Sequence, residues 1–446
     1  MITIKEKIAY GLGDTASNII FQSVMMFLML YYTDIMGLNP AVVGTMFLVV
    51  RVLDAITDPL MGALADNTRT KYGQFRPYLL WLALPFAIVS VLAFTVPDLS
   101  PANKVIYAYV TYGLLMLAYT AINIPYCALA GVLSNDPSER VSIQSFRFVF
   151  GMLGGLIVAS LTLPLTEWFG QGDAAKGYQL AMLAMSTLGF VLFILCFLGT
   201  KERVASPEKQ GFNLKQFKVL LANDQWRVLC AAALFLLSGQ VLRLTLAVYY
   251  VKYFLGREDL VSLFITLGVL GSMFGCAVAQ PLAARFCKVK LYIGLQFSAA
   301  VLCALSYFIP ASEVVLAFAA FIVWKFLTDA ATPLLWAKMA DTIDYGEAIS
   351  GVRTTGLVYS SVIFFIKLGI AIGGALAGWF LAYFDYQSGA VQTTDTIHGI
   401  VLTFTLLSSI GSLLVAWVMR YYRLNNKKLE EIQSTLTFKG EPHALT

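Results

Sequence analysis

Apolar residues fall along this chain in twelve long runs, separated by short charged or turn-rich breaks. The runs lie near residues 8–33, 41–65, 78–97, 104–132, 141–168, 177–200, 227–255, 260–284, 290–310, 313–340, 354–383 and 397–421. At about 1.5 Å of rise per residue, a helix of some 20 residues crosses a hydrocarbon core roughly 30 Å thick. The pattern therefore predicts an all-α membrane protein of twelve transmembrane helices. Residues 201–226 form the one sizeable internal break; it is polar, mixed in charge, and carries Pro207 and Gly211. It divides the chain into an N-terminal six-helix half (1–200), a cytoplasmic linker (201–226), a C-terminal six-helix half (227–421) and a cytoplasmic tail (422–446). Two six-helix halves around a cavity are the repeat architecture of secondary transporters, whose ligands bind near the bilayer midplane. A channel or a membrane enzyme could share this count. The chain shows no selectivity-filter repeat, no HExxH and no nucleophile elbow, so an enzyme is not expected.

Composition agrees. Of 446 residues, 59% are apolar and only 13% charged, against about 25% charged in soluble proteins. The segments expected on the inner face collect Lys5, Lys7, Arg69, Lys71, Arg76, Arg140, Lys201, Arg203, Lys209, Lys215, Lys218, Arg227, Arg285, Lys288, Lys290, Arg353, Arg420, Arg423, Lys427 and Lys428, whereas the outer loops hold Lys104, Lys176 and Arg257. Positive charge marks the cytoplasmic face, so both termini are expected inside. The net charge of +5 is then a topology signal, the lipid bilayer is the partner it implies, and no nucleic-acid partner is expected. Cys127, Cys196, Cys230, Cys276, Cys287 and Cys303 sit in or beside apolar runs without paired loop spacing, which reads as reduced packing cysteines. Two histidines are too few for a histidine metal site, no cofactor is expected, and no signal peptide is apparent because the first run is too long for an h-region.

Charge inside the second run carries the chemistry. Arg51, Asp54, Thr57 and Asp58 lie within residues 41–65, and each ionised group at that depth costs roughly 3 kcal/mol. The four-residue spacing stacks both carboxylates on one helix face, where like charges repel. An ion pair from Arg51 accounts for one carboxylate and leaves the other, so an exchangeable cation, Na+ or a proton, is expected there. Counting along each helix, Asp54, Asp58, Thr120, Arg243, Lys325, Asp329 and Lys367 reach one depth, about 18–25 Å from a helix end. Such convergence is what a buried polar cavity requires. Lys325 and Asp329, at i and i+4, are expected to pair, and Arg147 lies near the inner end of the fifth run. Tyr119, Tyr126 and Trp336 lie close enough to this set to offer a sugar ring an apolar face. Gly-rich pieces at 151–155 and 369–374 read as close helix contacts.

Two charged clusters fall on the inner face, one from each half: Asp66, Arg69 and Arg76 after the second run, and Asp341, Asp344 and Glu347 at the end of the tenth. Ion pairs made and broken between them would form a gate as the halves rock.

Several blocks in order resemble one family over essentially the whole chain: Tyr10-Gly-Leu-Gly13-Asp14, Tyr31-Tyr-Thr-Asp34, Asp54-Ala-Ile-Thr-Asp58-Pro, Gly73-Gln-Phe-Arg76-Pro77, Asn123-Ile-Pro125-Tyr, Asn223-Asp-Gln-Trp226, Ala340-Asp341-Thr-Ile-Asp344-Tyr-Gly-Glu347 and Arg420-Tyr-Tyr-Arg423-Leu. The chain is similar to the glycoside-pentoside-hexuronide cation symporters, a branch of the major facilitator fold that includes melibiose carriers. The resemblance implies a multi-pass protein of the bacterial inner membrane, expected as a monomer. It implies that Asp54 and Asp58 are the cation-site carboxylates and that Thr120 is a further oxygen ligand. Thr57 stands where melibiose carriers often have an Asn, which leaves Na+ or H+ open. Arg147 and Lys367 fall on positions that line the sugar cavity. The two sugar-binding aspartates of melibiose carriers are Asn18 and Asn123 here, and their indole-bearing position is Cys127, which argues against a galactoside.

With Arg147, Arg243 and Lys367 kept and two carboxylates replaced by amides, the pocket is expected to be cationic and a uronide is the inferred substrate, since an Arg fork suits a carboxylate. A neutral pentoside or glycoside stays open, because Asn also bonds hydroxyls. The expectation is a cation-coupled symporter of a glycoside, pentoside or hexuronide working by alternating access. A lysolipid or other amphiphile carrier on the same fold, or a non-transporting membrane sensor, are the alternatives.

Overall fold

A computed structural model describes residues 2–134, 137–203, 220–351, 355–424, 428–429 and 431–432, giving the backbone alone for some residues within helices. Among the described residues there are twelve helical rods and one isolated bridge, Thr70 to Gly73. We label them α1 (Ile4–Ser23, running on through π turns Val24–Leu28 and Tyr31–Ile35), α2 (Pro40–Asn67), α3 (Arg76–Ala93), α4 (Pro101–Leu133), α5 (Pro137–Gly170) and α6 (Ala174–Gly199). These are followed by α7 (Asp224–Phe254), α8 (Val261–Arg285), α9 (Lys288–Phe308), α10 (Val314–Ser350), α11 (Thr355–Tyr383) and α12 (Thr394–Tyr421). Each of the twelve apolar runs coincides with one rod. Among the described residues, ten rods are long and apolar enough to cross a membrane; α1 carries Asp14, and α2 carries Arg51, Asp54 and Asp58.

Local chemistry sets the ends. Asn39 accepts the amide of Ala41 at 2.8 Å just before Pro40, whose missing N–H costs nothing at a first-turn position. Asp173 caps α6 by accepting the amide of Lys176 at 3.1 Å. The tenth rod differs from expectation at its inner end: it stays helical to Ser350, with a single break at Ala331, and stops at Gly351, whose φ of 71° is a left-handed cap. Asp341, Asp344 and Glu347 therefore lie on a helix and not in a solvated turn.

By packing, the chain resolves into two compact units: residues 1–208, 247–269 and 375–399 form the first, and 209–246, 270–374 and 400–446 the second. The division does not follow the linker alone. The ends of α7, α8 and α11 opposite the termini join the first unit, where α11 meets α2 through Gly44 and Gly378. A Cβ on Gly44 would lie 2.7 Å from the Ala375 carbonyl, and one on Gly378 would collide with the Pro40 carbonyl. Within the first unit, α1 packs on α5 and α6, and α3 on α4 and α6. In the second unit a core around Leu229, Tyr292, Leu335, Met339, Val362 and Met419 buries the facing sides of α7, α9, α10, α11 and α12.

Candidate functional site

The second helix holds its charge as the spacing suggests, and the two carboxylates take different partners. Arg51 donates from Nη1 to Asp54 Oδ2 at 3.0 Å, with side chains only 2% and 5% exposed. The guanidinium also lies 5.7 Å from the centre of the Phe21 ring on α1. One turn on, Asp58 Oδ1 accepts the hydroxyl of Thr120, from α4, at 2.9 Å. Thr57 donates back to the Asp54 carbonyl at 3.4 Å, and a hydroxyl that donates keeps lone pairs for a cation. The cluster thus gathers two carboxylates and two hydroxyls from α2 and α4, and on α2 itself Arg51, Asp54 and Asp58 sum to one negative charge.

A second polar cluster forms between α1, α4 and α5. Asn123 donates to the Tyr119 hydroxyl at 3.4 Å, and Tyr119 stacks on Phe21 with ring centres 5.2 Å apart. Tyr126 is buried, stacked on Tyr10 at 4.7 Å, and its hydroxyl is spent on the Tyr10 carbonyl at 2.8 Å. Its hydroxyl and its ring are therefore both engaged by protein groups. Arg147 stands 5.5 Å over that ring and reaches Cys127 Sγ at 3.2 Å. Its Nε pairs with Asp14 Oδ1 at 3.1 Å, and Asn18 donates to the Asp14 carbonyl at 2.9 Å and to Oδ2 at 3.4 Å. Asn18, Asn123, Tyr119, Tyr126 and Arg147 are thus brought together. Asp14 was missed, although its place in an apolar run was a readable signal.

The second unit treats its expected residues less uniformly. Arg243 is 1% exposed, with its guanidinium carbon 4.5 Å from the Trp324 ring centre and 4.6 Å from that of Phe404, and it donates to Ser306 at 3.4 Å. It is boxed among aromatic rings inside the unit. Trp336 packs half-buried against the core of the same unit, and Lys367 is half-buried on α11. Lys325 and Asp329 pair at 2.7 Å as the spacing suggests.

Among the expected gate residues, the Asp66 side chain lies outside the described residues. Arg69 is exposed and donates to the neighbouring Thr68 carbonyl at 3.2 Å. Arg76 is tied to α6, donating to the Phe197 carbonyl at 2.7 Å and lying 4.8 Å over the Phe197 ring. What organises this loop is Glu202, which sequence reasoning passed over: its carboxylate accepts the amides of Gln74, Phe75 and Arg76 at 2.7, 2.8 and 2.9 Å, at the N-terminus of α3. Gly73 at φ 111° makes the turn, and a Cβ there would strike that carboxylate. Beside it, Arg203 grips Glu6 with two bonds of 2.7 and 2.8 Å, which raises the already high pKa of the guanidinium. In the second unit, Asp341, Asp344 and Glu347 are half-buried on the last turns of α10. Between them Tyr345 donates to Asp224 at 3.0 Å and Asn223 to the Thr342 carbonyl at 3.0 Å.

At the opposite face a further cluster appears that no expectation named. Asp34, at the end of α1, accepts the hydroxyls of Tyr386 at 2.6 Å and Tyr253 at 2.9 Å, and Thr33 at 2.8 Å. Lys252 stands 3.9 Å away, and Thr33 shares a 2.8 Å hydrogen bond with Tyr249. This cluster binds the ends of α1, α7 and α11 within the first unit.

Long apolar helices with carboxylates inside them mark a multi-pass membrane protein. The MFS/sugar transport protein family model matches residues 9–426. The chain belongs to this family, the glycoside-pentoside-hexuronide cation symporters of the major facilitator superfamily, and is a cation-coupled sugar transporter. It is 42% identical over 438 residues to the inner membrane symporter YicJ of Escherichia coli (strain K12), covering 98% of this chain and 95% of that one. It is 33% identical to the isoprimeverose transporter of Lactiplantibacillus pentosus, covering 95% and 90% of the two chains. A glucuronide carrier protein homolog of Escherichia coli (strain K12) is 31% identical, with 95% and 93% covered. The crystal structure of a D-xylose-proton symporter shares the fold at a TM-score of 0.67 and 14% identity, covering 95% of this chain and 98% of that one.

Proposed function

We propose that this transporter couples inward flow of one Na+ or H+ to uptake of a glycoside, pentoside or hexuronide by alternating access, with both termini cytoplasmic. The observation that carries the reading is the division of labour on α2: Arg51 holds Asp54 at 3.0 Å while Asp58 turns to Thr120 at 2.9 Å. Arg51 lowers the cost of burying one acid. Asp58, with the Asp54 carboxylate and the hydroxyls of Thr57 and Thr120, is the proposed site for the mobile cation. The sugar-contacting residues in this reading are Asn18, Asn123, Tyr119, Tyr126, Arg147, Trp336 and Lys367. The inner charges Asp66, Arg69, Arg76, Asp341, Asp344 and Glu347 gate the cytoplasmic face, and the Asp34 cluster latches the outer one.

The cation neutralises a carboxylate whose charge would otherwise oppose closing the cavity, so each ligand raises the affinity for the other. A thermal-shift screen of sugars with and without Na+ at two pH values tests the reading, since a true ligand stabilises by mass action. Sugar stabilisation that grows with Na+ or with falling pH is expected. Stabilisation by acyl-chain amphiphiles with none by any sugar would overturn it.

A further inference from the structure

We infer that Asp14 makes this carrier select a neutral sugar over a uronide. It does so by neutralising Arg147 and by presenting its second carboxylate oxygen to sugar hydroxyls. The inference rests on the sugar-transport reading above and narrows its substrate class.

The geometry is specific. Arg147, whose charge would make the cluster attractive to a uronide, has its Nε on Asp14 Oδ1 at 3.1 Å, and its Nη2 on the neutral Cys127 sulfur at 3.2 Å. The group formed by Asp14, Asn18, Tyr119, Asn123, Tyr126, Cys127 and Arg147 is therefore neutral in sum. A substrate carboxylate arriving at Arg147 also arrives at Asp14. At similar distances in the same medium, attraction to the one charge and repulsion from the other nearly cancel. A neutral sugar meets no such penalty. Its hydroxyl pair can donate to Asp14 Oδ2 and to the amide oxygen of Asn18, whose nitrogen already stands 3.4 Å from that carboxylate oxygen, and hydrogen bonds to a charged acceptor are the stronger kind. The side chains of Arg147 and Asp14 are 21% and 10% exposed.

An independent observation fixes the carboxylate's position. A Cβ built on Gly151 of α5 would collide with Asp14 Oδ2 and lie 3.2 Å from Asn18 Nδ2. Glycine at 151 thus opens the space in which the carboxylate lies, and Gly151 is a positioning residue for Asp14. The two replaced aspartates at Asn18 and Asn123 are in this view offset by one carboxylate a single helical turn away on α1.

The test uses the full-length protein in lipid nanodiscs, with 4-nitrophenyl β-D-xyloside, β-D-glucoside and β-D-glucuronide as probes and calorimetric affinities as readout. The wild-type protein is expected to bind at least one neutral probe tenfold or more tightly than the glucuronide. Asp14→Asn should cut that ratio at least tenfold, because Arg147 is released to the uronide carboxylate. Gly151→Ala, which changes no charge, should move the ratio the same way, and it decides the matter if the Asn variant does not fold. A wild-type preference for the glucuronide, an unchanged ratio in both variants, or equal loss of all probes overturns the inference while leaving sugar transport intact. Failure of the wild-type protein to bind any of the three overturns the sugar reading beneath it.

Discussion

Asp54 and Asp58 sit one helical turn apart and answer to different constraints, so their substitutions should separate. Asp54→Ala would strand the guanidinium of Arg51 in a site where it is 4% exposed, and removing one partner of a buried pair costs about 3–5 kcal/mol. A large fall in melting temperature is expected, and Arg51→Leu in the same background should recover part of it. Asp58→Cys should leave the melting temperature within a few degrees and some sugar binding, yet abolish cation-driven accumulation in vesicles. Persistent accumulation would remove Asp58 from the coupling site. Glu202 gives a third contrast: Glu202→Ala leaves three amides at the start of α3 without their acceptor, a loss of about 1–3 kcal/mol that a denaturation series would register. Residue identities of this kind were partly legible beforehand. The stacking of Asp54 on Asp58 follows from spacing, and so does the pairing of Lys325 with Asp329. Asp14 was not legible as a partner, because Arg147 lies 133 residues away and only the packing of α1 on α5 joins them.

Helices meet through two devices at the face opposite the termini, and both can be tested apart from ligand binding. One is polar: Asp34 of α1 collects hydroxyls of Tyr253 on α7 and of Tyr386 just after α11. The other is steric: Gly44 and Gly378 let α2 and α11 approach backbone to backbone. Asp34→Ala removes, besides the bond from its neighbour Thr33, both interhelix hydrogen bonds to a charged acceptor, each worth about 1.5–3 kcal/mol, so the population with this face open should rise at least tenfold. Gly378→Val should act in the same direction by wedging the helices. Spin labels at Ser100→Cys and Ser388→Cys in a cysteine-free background would report a longer distance in both variants, and unchanged distances would deny the cluster a latching role. The helices themselves were readable from apolar run length alone. Tyr253 and Tyr386 were not, because an aromatic residue at a helix end has the same signature whether it faces lipid, water or a carboxylate.

At the scale of the whole molecule, coupling is a free energy shared between two sites. If the cation raises sugar affinity by some factor, the sugar must raise cation affinity by the same factor, typically 5- to 150-fold. Paired titrations, sugar with and without saturating cation and the reverse, should return equal factors. Asp58→Cys should bring both to one, and unequal factors would exclude a simple two-site linkage. The packing units, which draw residues 247–269 and 375–399 into the company of 1–208, show that partition by the polar linker and partition by contact answer different questions. The linker marks the break in hydropathy between the sixth and seventh runs. Contact marks which helix ends are closed upon each other.

Twelve membrane helices, the six-and-six arrangement of runs, the family and the acidic pair on α2 were all determined by the order of residues. Each depends on run length or on i, i+4 spacing, which are local quantities. Which carboxylate Arg51 takes, the marriage of Asp14 to Arg147, the aromatic box around Arg243 and the cluster at Asp34 were decided by the tertiary structure. Each joins side chains on different helices or chooses between two acids on one, and no period along a single chain encodes that choice.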